Sequence, residues 1–425
     1  MDITIRPIDK INSVITVPGD KSISHRAVMF GSIAQGDTEI SGFLTGDDCM
    51  STISCFKKLG IDIEVKGENV VVHGKGLHGL TAPTELLDVG NSGTTIRLIS
   101  GLLSGQTFDC RLNGDASIQK RPMNRVIKPL SQMGAKIAST NDGYAPLAIT
   151  GAKLKGIEYH MPVASAQVKS SILLASLYAE GETVVIEDMP SRDHTEIMLN
   201  YFGADIINEN GRITSHPVKE LYGRPLTVPG DISSAAFFIA AALLTPDSEI
   251  TVTNVGINKT RTGIIDAFLE MGADIKVINE RLAGGELVGD LVVKTSKLKA
   301  ITLGGDIIPR MIDEIPVFVV AALAAEGTTV VKDAQELKVK ESNRIATMIE
   351  ELGKMGAKIT ETDDGMIIEG GQKLTGGTTY SHLDHRVAMS VAVAALNAKG
   401  DTTITDADCV GISFPNFYEL LNSLR

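Results

Sequence analysis

The sequence contains no tryptophan, and aromatic residues make up only 4% of its 425 positions. Any core must therefore be built from Ala, Val, Ile, Leu and Met. Cysteine is scarce too: Cys49, Cys55, Cys110 and Cys409 show neither a CxxC spacing nor a disulfide framework. A reduced, cytoplasmic protein is the simplest reading. The opening segment MDITIRPIDK has no basic start followed by an apolar stretch, so no secretory signal is expected. Nor is it Arg/Ser-rich and acid-poor, as an organelle transit peptide is. The longest apolar run, Ala235 to Leu244, is about half of what a bilayer crossing needs. Positive charge is in deficit, with 40 Lys and Arg against 52 Asp and Glu and a net charge of −12. That balance argues against nucleic acid or membrane as the main partner. Any local gathering of Lys and Arg then calls for an anionic ligand.

What is present reads as globular, with 43% apolar and 22% charged residues. The length exceeds one ordinary hydrophobic core, so two domains are expected. Two internal patterns recur. In the first, a helical stretch ends at an apolar residue and a Gly, and a short alternating strand follows. It occurs as LGIDIEV from Leu59, MGAKIAS from Met133, FGADIIN from Phe202, MGADIKV from Met271 and MGAKITE from Met355. The Gly fits a helix C-cap. In the second pattern, a helix of small residues leads through a turn into a β-rich strand; EIPVFVVAALAAEGTTVVK and DHRVAMSVAVAALNAKGDTTI are two of its six copies. These helices are apolar nearly all round, which places them in the interior.

The first pattern lacks a sixth copy, which would follow the last residue; Met1 to Pro7 could supply the missing strand. The tetrapeptide VPGD occurs at Val17–Asp20 and again at Val228–Asp231. Read as neighbouring crossovers, these bracket an inserted domain B at 19–229. Domain A is then 1–18 plus 230–425, with hinges near 17–20 and 228–231. Each buried helix starts just after a loop, and its first turn offers unpaired N–H groups and partial positive charge. Lys21, Arg26, Gly93, Gln167, Asp313 and Arg386 lie at such starts, so helices converging on a cleft between the domains would form an anion trap.

The sharpest motif is Pro18-Gly19-Asp20-Lys21-Ser22-Ile23-Ser24-His25-Arg26. Lys and Ser at a Gly-led helix start suit phosphate, through a point charge, a hydroxyl and backbone amides. Arg26 stands one turn beyond Ser22 on the same face. The GxxxxGK[ST] spacing of a Walker loop is absent. This PGDKSxSHR motif resembles that of the 5-enolpyruvylshikimate-3-phosphate synthases, and the resemblance runs from Arg6 to the C-terminus with motifs in order. It implies a two-domain inside-out α/β barrel of the α/β (α+β) class, each domain holding three βαβαββ units around buried small-residue helices.

The resemblance also implies an activity: transfer of the enolpyruvyl group of phosphoenolpyruvate to the 5-hydroxyl of shikimate 3-phosphate, without metal or cofactor. Residue by residue, Gly90-Asn91-Ser92-Gly93-Thr94-Thr95-Ile96-Arg97 matches the family's NxGTxxR segment, where Gly93 borders the phosphoenolpyruvate site. Arg121, in Lys120-Arg121-Pro122, matches a phosphoenolpyruvate ligand. Ser165 and Gln167 match residues that hold shikimate 3-phosphate, Gln167 also reaching the second substrate; Ala166 stands where many relatives carry a second Ser. Arg192, in Pro190-Ser191-Arg192-Asp193-His194-Thr195, matches a phosphate-contacting segment, as do Lys21, Ser22 and Arg26. Asp313 matches the proton acceptor. In Lys340-Glu341-Ser342-Asn343-Arg344 the KExxR match assigns Lys340 to shikimate 3-phosphate, Glu341 to proton traffic and Arg344 to phosphoenolpyruvate.

Read without the family, the same charges would form an exposed i,i+3 or i,i+4 pair. Arg386 in Asp384-His385-Arg386 is a further phosphoenolpyruvate ligand by the DHRxAM match. Ile412 stands where many relatives have Lys, so a fifth cation is missing there. The resemblance implies addition followed by elimination: Asp313 takes the 5-hydroxyl proton, Glu341 or Lys21 protonates the methylene carbon, and phosphate leaves. Shikimate 3-phosphate is expected to close the domains. Two other readings are weighed. The sister enzyme acting on UDP-N-acetylglucosamine uses a loop cysteine that no cysteine here matches. A non-catalytic phosphosugar binder would have lost Asp313, Glu341 or Lys21. The protein is expected to act as a monomer on small anions, with no nucleic acid or membrane partner, and Gly93 is expected to leave it sensitive to glyphosate.

Overall fold

The computed structural model describes residues 1–424, which gather into two compact units. One comprises Met1–Pro18, Pro229–Arg281 and Leu287–Arg425; the other comprises Gly19–Val228 together with the short stretch Leu282–Glu286. They are called here the discontinuous unit and the inserted unit.

The inserted unit is built from three copies of one arrangement. Its buried helices are α1 (Lys21–Ile33), α2 (Gly93–Ser104) and α3 (Ala166–Ser176). Beside each is a four-stranded sheet in which the first strand runs parallel to the second and the rest alternate. The second copy shows the full order: Leu87–Asp88, α2, Asp109–Asn113, the helix Asn124–Gln132, Lys136–Thr140 and Tyr144–Thr150. The first copy borrows its opening strand, Leu226–Thr227, from the far end of the unit, where it pairs parallel with Gln35–Ser41.

The discontinuous unit repeats the scheme around α4 (Ile232–Leu244), α5 (Ile315–Ala324) and α6 (His385–Ala395), which pack against one another. Its first sheet takes its opening strand from Asn12–Thr16, parallel to Glu249–Gly256. Its last sheet has three strands, Thr378–Tyr380, Thr402–Thr405 and Ile3–Ile5, the last antiparallel to Thr402–Thr405. The chain's beginning thus supplies the strand its end lacks. No sheet among the described residues closes on itself: in each unit separate open sheets stand beside the buried helices, rather than forming a closed barrel.

Sequence explains the repetition locally. The five Gly residues of the first pattern, Gly60, Gly134, Gly203, Gly272 and Gly356, have φ of 89°, 100°, 104°, 90° and 92°, a left-handed turn that only Gly enters cheaply. Each unit has its own apolar core. Helix α5 is buried at every position from Ile315 to Leu323, which accounts for its lack of a polar face. Without tryptophan, the largest core groups are Phe, as in the edge-on cluster of Phe237, Phe238, Phe414 and Phe417. No helix of the described residues is long and apolar enough to cross a membrane.

Candidate active site

In the inserted unit the candidate residues sit at helix starts. Asp20 caps α1, its Oδ1 accepting from Ile23 N at 2.9 Å. Lys21 is the first helical residue and forms an ion pair with the buried Asp48. Arg26, one turn on, is buried and thoroughly tied: Nε donates to Thr195 Oγ1 at 2.7 Å, Nη2 to Ser170 Oγ at 2.9 Å and Nη1 to the Ser22 carbonyl at 2.9 Å. Burial brings its pKa down to about 10, and neighbouring Arg192 pushes the same way while Glu196 and Asp20 oppose. The guanidinium remains charged at neutral pH.

At the start of α2, Ser92 caps the helix by accepting from Thr95 N at 3.1 Å. A methyl built on Gly93 would lie 3.0 Å from Arg121 Nη1 and 3.2 Å from Arg97 Nη1, so two guanidinium groups flank this bare backbone position. Arg121 Nη2 donates to Asn91 Oδ1 at 3.0 Å and Ser117 Oγ at 3.1 Å. Arg97 Nη1 donates to Gln167 Oε1 at 2.5 Å, and Gln167 Nε2 donates to Thr94 Oγ1 at 3.1 Å. Gln167 stands in the first turn of α3, whose N-cap Ser165 makes no side-chain cap bond. Gly93, Arg97, Arg121 and Gln167 are therefore brought together on one face. Arg97 is the residue that sequence reasoning left without a role, although the motif contains it and it follows Gly93 by one helical turn.

The discontinuous unit presents the carboxylates. Asp313 Oδ1 lies 3.3 Å from Lys340 Nζ and 3.1 Å from Arg344 Nη1. Arg344 also donates from Nη2 to Glu341 Oε2 at 2.6 Å and from Nε to Asp384 Oδ2 at 2.9 Å. The reading of these charges as an exposed helix pair is thus corrected: Arg344 is 2% exposed and holds three carboxylates. Burial works against its charge, but Asp384, Glu341 and Asp313 outweigh that and raise its pKa above the ordinary arginine range. Asp384, passed over in the sequence, does two jobs. Its Oδ1 accepts from Arg386 N at 2.9 Å as the cap of α6, and its Oδ2 takes Arg344 and Ser342 Oγ. An Asp before a small-residue helix, as at Asp20 and Asp231, was the available signal. Arg386 Nη1 donates to the Ser233 carbonyl at 3.1 Å, and its guanidinium carbon lies 5.8 Å from the Phe237 ring centre.

Ile412 ends the short 3-10 turn Ala407–Ile412. Two other sets of side chains have the chemistry of reactive centres. None of the four cysteines forms a disulfide, and burial pushes the thiols of Cys55 and Cys110 up to about 12 and Cys409 up to about 11, which suits none of these three to proton transfer near neutral pH. Glu350, Glu351 and His382 lie close enough to hold a metal ion, but Lys354 Nζ already stands 3.2 Å from Glu350 and 2.8 Å from Glu351.

Charged groups gathered at helix starts within an acidic α/β chain define an enzyme for small substrates carrying phosphate and carboxylate. The comparisons sharpen this. The sequence profile of EPSP synthase (3-phosphoshikimate 1-carboxyvinyltransferase) matches residues 5–421. A protein of Thermoanaerobacter named 3-phosphoshikimate 1-carboxyvinyltransferase is 60% identical over 424 residues, covering 100% of both chains. One of the same name from Alkaliphilus metalliredigens is 54% identical over 418 residues, 98% of each. The solved EPSP synthase of Acinetobacter baumannii superposes with a TM-score of 0.90 at 49% identity, covering 100% of this chain and 98% of that one. The chain belongs to the EPSP synthase family.

Proposed function

We propose that the protein transfers the enolpyruvyl group of phosphoenolpyruvate to the 5-hydroxyl of shikimate 3-phosphate, releasing phosphate. The observation that carries the residue assignment is Asp313 held between Lys340 at 3.3 Å and Arg344 at 3.1 Å, with Glu341 on the same guanidinium. That arrangement supports reading Asp313 as acceptor for the hydroxyl proton and Glu341 as a second carboxylic group for the methylene carbon. Asp313 takes the proton as the 5-oxygen bonds to C2 of phosphoenolpyruvate. Glu341 or Lys21 delivers a proton to the methylene carbon. The tetrahedral adduct then loses that methyl proton and phosphate, giving the enol ether.

Lys21, Ser22, Arg26, Ser165, Gln167, Arg192, Asp313 and Lys340 serve shikimate 3-phosphate. Gly93, Arg121, Arg344 and Arg386 serve phosphoenolpyruvate, with Lys21 and Gln167 reaching both substrates, and Arg97 joins the second set by its place beside Gly93. Phosphoenolpyruvate competes with Glu341 and Asp313 for Arg344, so binding and the freeing of the acid–base pair are linked. Shikimate 3-phosphate drives domain closure with hinges near 17–20 and 228–231. A monomeric protein acting without metal or cofactor belongs to the same proposal, as does a cytoplasmic location, which the absence of any disulfide among the four cysteines supports.

The test is phosphate release with both substrates and a chelator present, no metal added. Release dependent on both substrates is expected, and Asp313→Asn should lower kcat by about 10²–10⁴-fold. Tight binding of shikimate 3-phosphate without release would favour a binding protein instead. Glyphosate sensitivity is part of the proposal. Gly93→Ala forces the Arg121 and Arg97 guanidinium ends to give by a few tenths of an ångström. It should weaken inhibition by glyphosate more than it raises KM for phosphoenolpyruvate; equal inhibition of the two proteins would refute the steric account.

A further inference from the structure

Lys169 is a fully buried ammonium, 1% exposed, on α3 of the inserted unit, and no step above uses it. Its Nζ donates to Glu187 Oε2 at 2.8 Å and to the Ser191 carbonyl at 3.3 Å, and pairs with Glu196 Oε1 at 2.7 Å. An ammonium has three N–H donors, so these partners use its capacity. The partners come from three places: Glu187 just past the strand Thr183–Ile186, Ser191 in the following loop, and Glu196 in the helix His194–Tyr201. Glu187 reinforces the clamp, because Ser191 Oγ donates to its Oε1.

Between the clamped points lie Arg192 and Thr195. Thr195 Oγ1 receives Arg26 Nε and lies 2.6 Å from Ser170 Oγ, which receives Arg26 Nη2. Neighbouring residues of α3 thus act on one target: Lys169 fixes the loop, and Ser170 fixes Arg26 against it. Stability does not explain the ammonium, since a buried ion pair roughly breaks even against well-packed apolar groups. Geometry does.

We infer that Lys169, through Glu187, Ser191 and Glu196, is the positioning residue that sets the loop carrying Arg192 against Arg26 and so builds the pocket for the substrate's phosphate group. This rests on the assignment of Arg26 and Arg192 to shikimate 3-phosphate. Calorimetric affinities for shikimate 3-phosphate and for shikimate, its analogue without phosphate, test it on the full chain, together with KM, kcat and thermal unfolding. Lys169→Met leaves two buried carboxylates without their cation, so the neutral triple variant Lys169→Met, Glu187→Gln, Glu196→Gln is measured beside it.

Both variants should bind shikimate 3-phosphate about 10-fold or more weakly, equivalent to 1.4 kcal/mol or more, with shikimate affinity unchanged within about two-fold. The KM for shikimate 3-phosphate should rise while kcat at saturation stays within about three-fold. A folded triple variant with the original affinity for shikimate 3-phosphate would overturn the inference, as would an equal loss for both ligands. Failure of the underlying assignment looks different: Arg26→Ala would then leave shikimate 3-phosphate binding untouched.

Discussion

The two VPGD crossovers start helices of nearly identical plan and opposite character. Asp20 caps α1 and Asp231 caps α4, each accepting a backbone N–H at 2.9 Å. Beyond the cap the residues diverge. Lys21 corresponds to Ile232, His25 to Ala236 and Arg26 to Phe237, counting from the shared Asp. The first helix supplies cations itself. The second is apolar at those positions and lends its backbone and ring to a cation from elsewhere, Arg386, which donates to the Ser233 carbonyl and sits over Phe237. A hydroxyl relay secures that support: Arg261 Nη2 donates to Ser233 Oγ at 2.8 Å, and Ser233 Oγ donates to Glu314. One backbone device, the capped helix start, can carry charge directly or hold it at one remove.

The sharpest way to break this contrast is Lys21→Ile, which gives the first helix the residue of the second. Loss of a cation assigned to both substrates and to proton transfer should lower kcat/KM by about 10²–10⁴-fold. The chain should still unfold cooperatively, though earlier, because Asp48 loses its partner. Phe237→Leu tests the indirect arrangement. Removing the ring beneath a desolvated Arg386 should raise KM for phosphoenolpyruvate roughly 5- to 30-fold, the equivalent of about 1–2 kcal/mol. An unchanged KM would show that the Ser233 carbonyl alone holds the guanidinium.

The smallest expected effect is one of pH. His25 is buried; burial first, then Lys21 and Arg26, hold its pKa well below 6.5 in the folded chain. The unfolded chain takes up that proton near pH 6.5. Below this pH the unfolded state binds more protons, so stability is complete above about 6.5 and falls as pH drops toward the folded value. Urea unfolding midpoints of His25→Asn should fall less steeply from pH 7 to pH 5 than those of the original protein. Parallel slopes would mean that other groups govern acid sensitivity.

Much of this was legible in the chain itself, because the repeats are encoded locally. The Gly after each amphipathic helix, the Asp before three of the six small-residue helices and the all-apolar faces announce caps and burial without tertiary information. The missing sixth strand could be placed because Ile3–Ile5 has the same alternation as the strands it replaces. The ion networks were not legible. Nothing in Ala-Gln-Val-Lys-Ser-Ser names the partners of Lys169, since Glu187 and Glu196 come from later elements. Arg344 reads as half of a surface pair until Asp313 and Asp384, distant in sequence, close around it. The hairpin stretch Leu282–Glu286 was equally hidden. Its strands continue the discontinuous unit's sheet, yet it packs with the inserted unit, where Glu286 Oε1 lies 2.6 Å from His194 Nδ1.

The pairing of Ile3–Ile5 with Thr402–Thr405 bears on how the chain is made. Synthesis runs from the N-terminus, so one of the earliest strands to emerge waits for one of the last before its edge is covered. At about 5–20 residues per second that wait is of the order of 20–80 seconds. Meanwhile residues 19–228, which are the whole inserted unit apart from Leu282–Glu286, have already been made. The ribosome thus meets an order of events that the finished structure conceals: most of the unit inserted in the sequence is made before the strand that begins the sequence meets its partner.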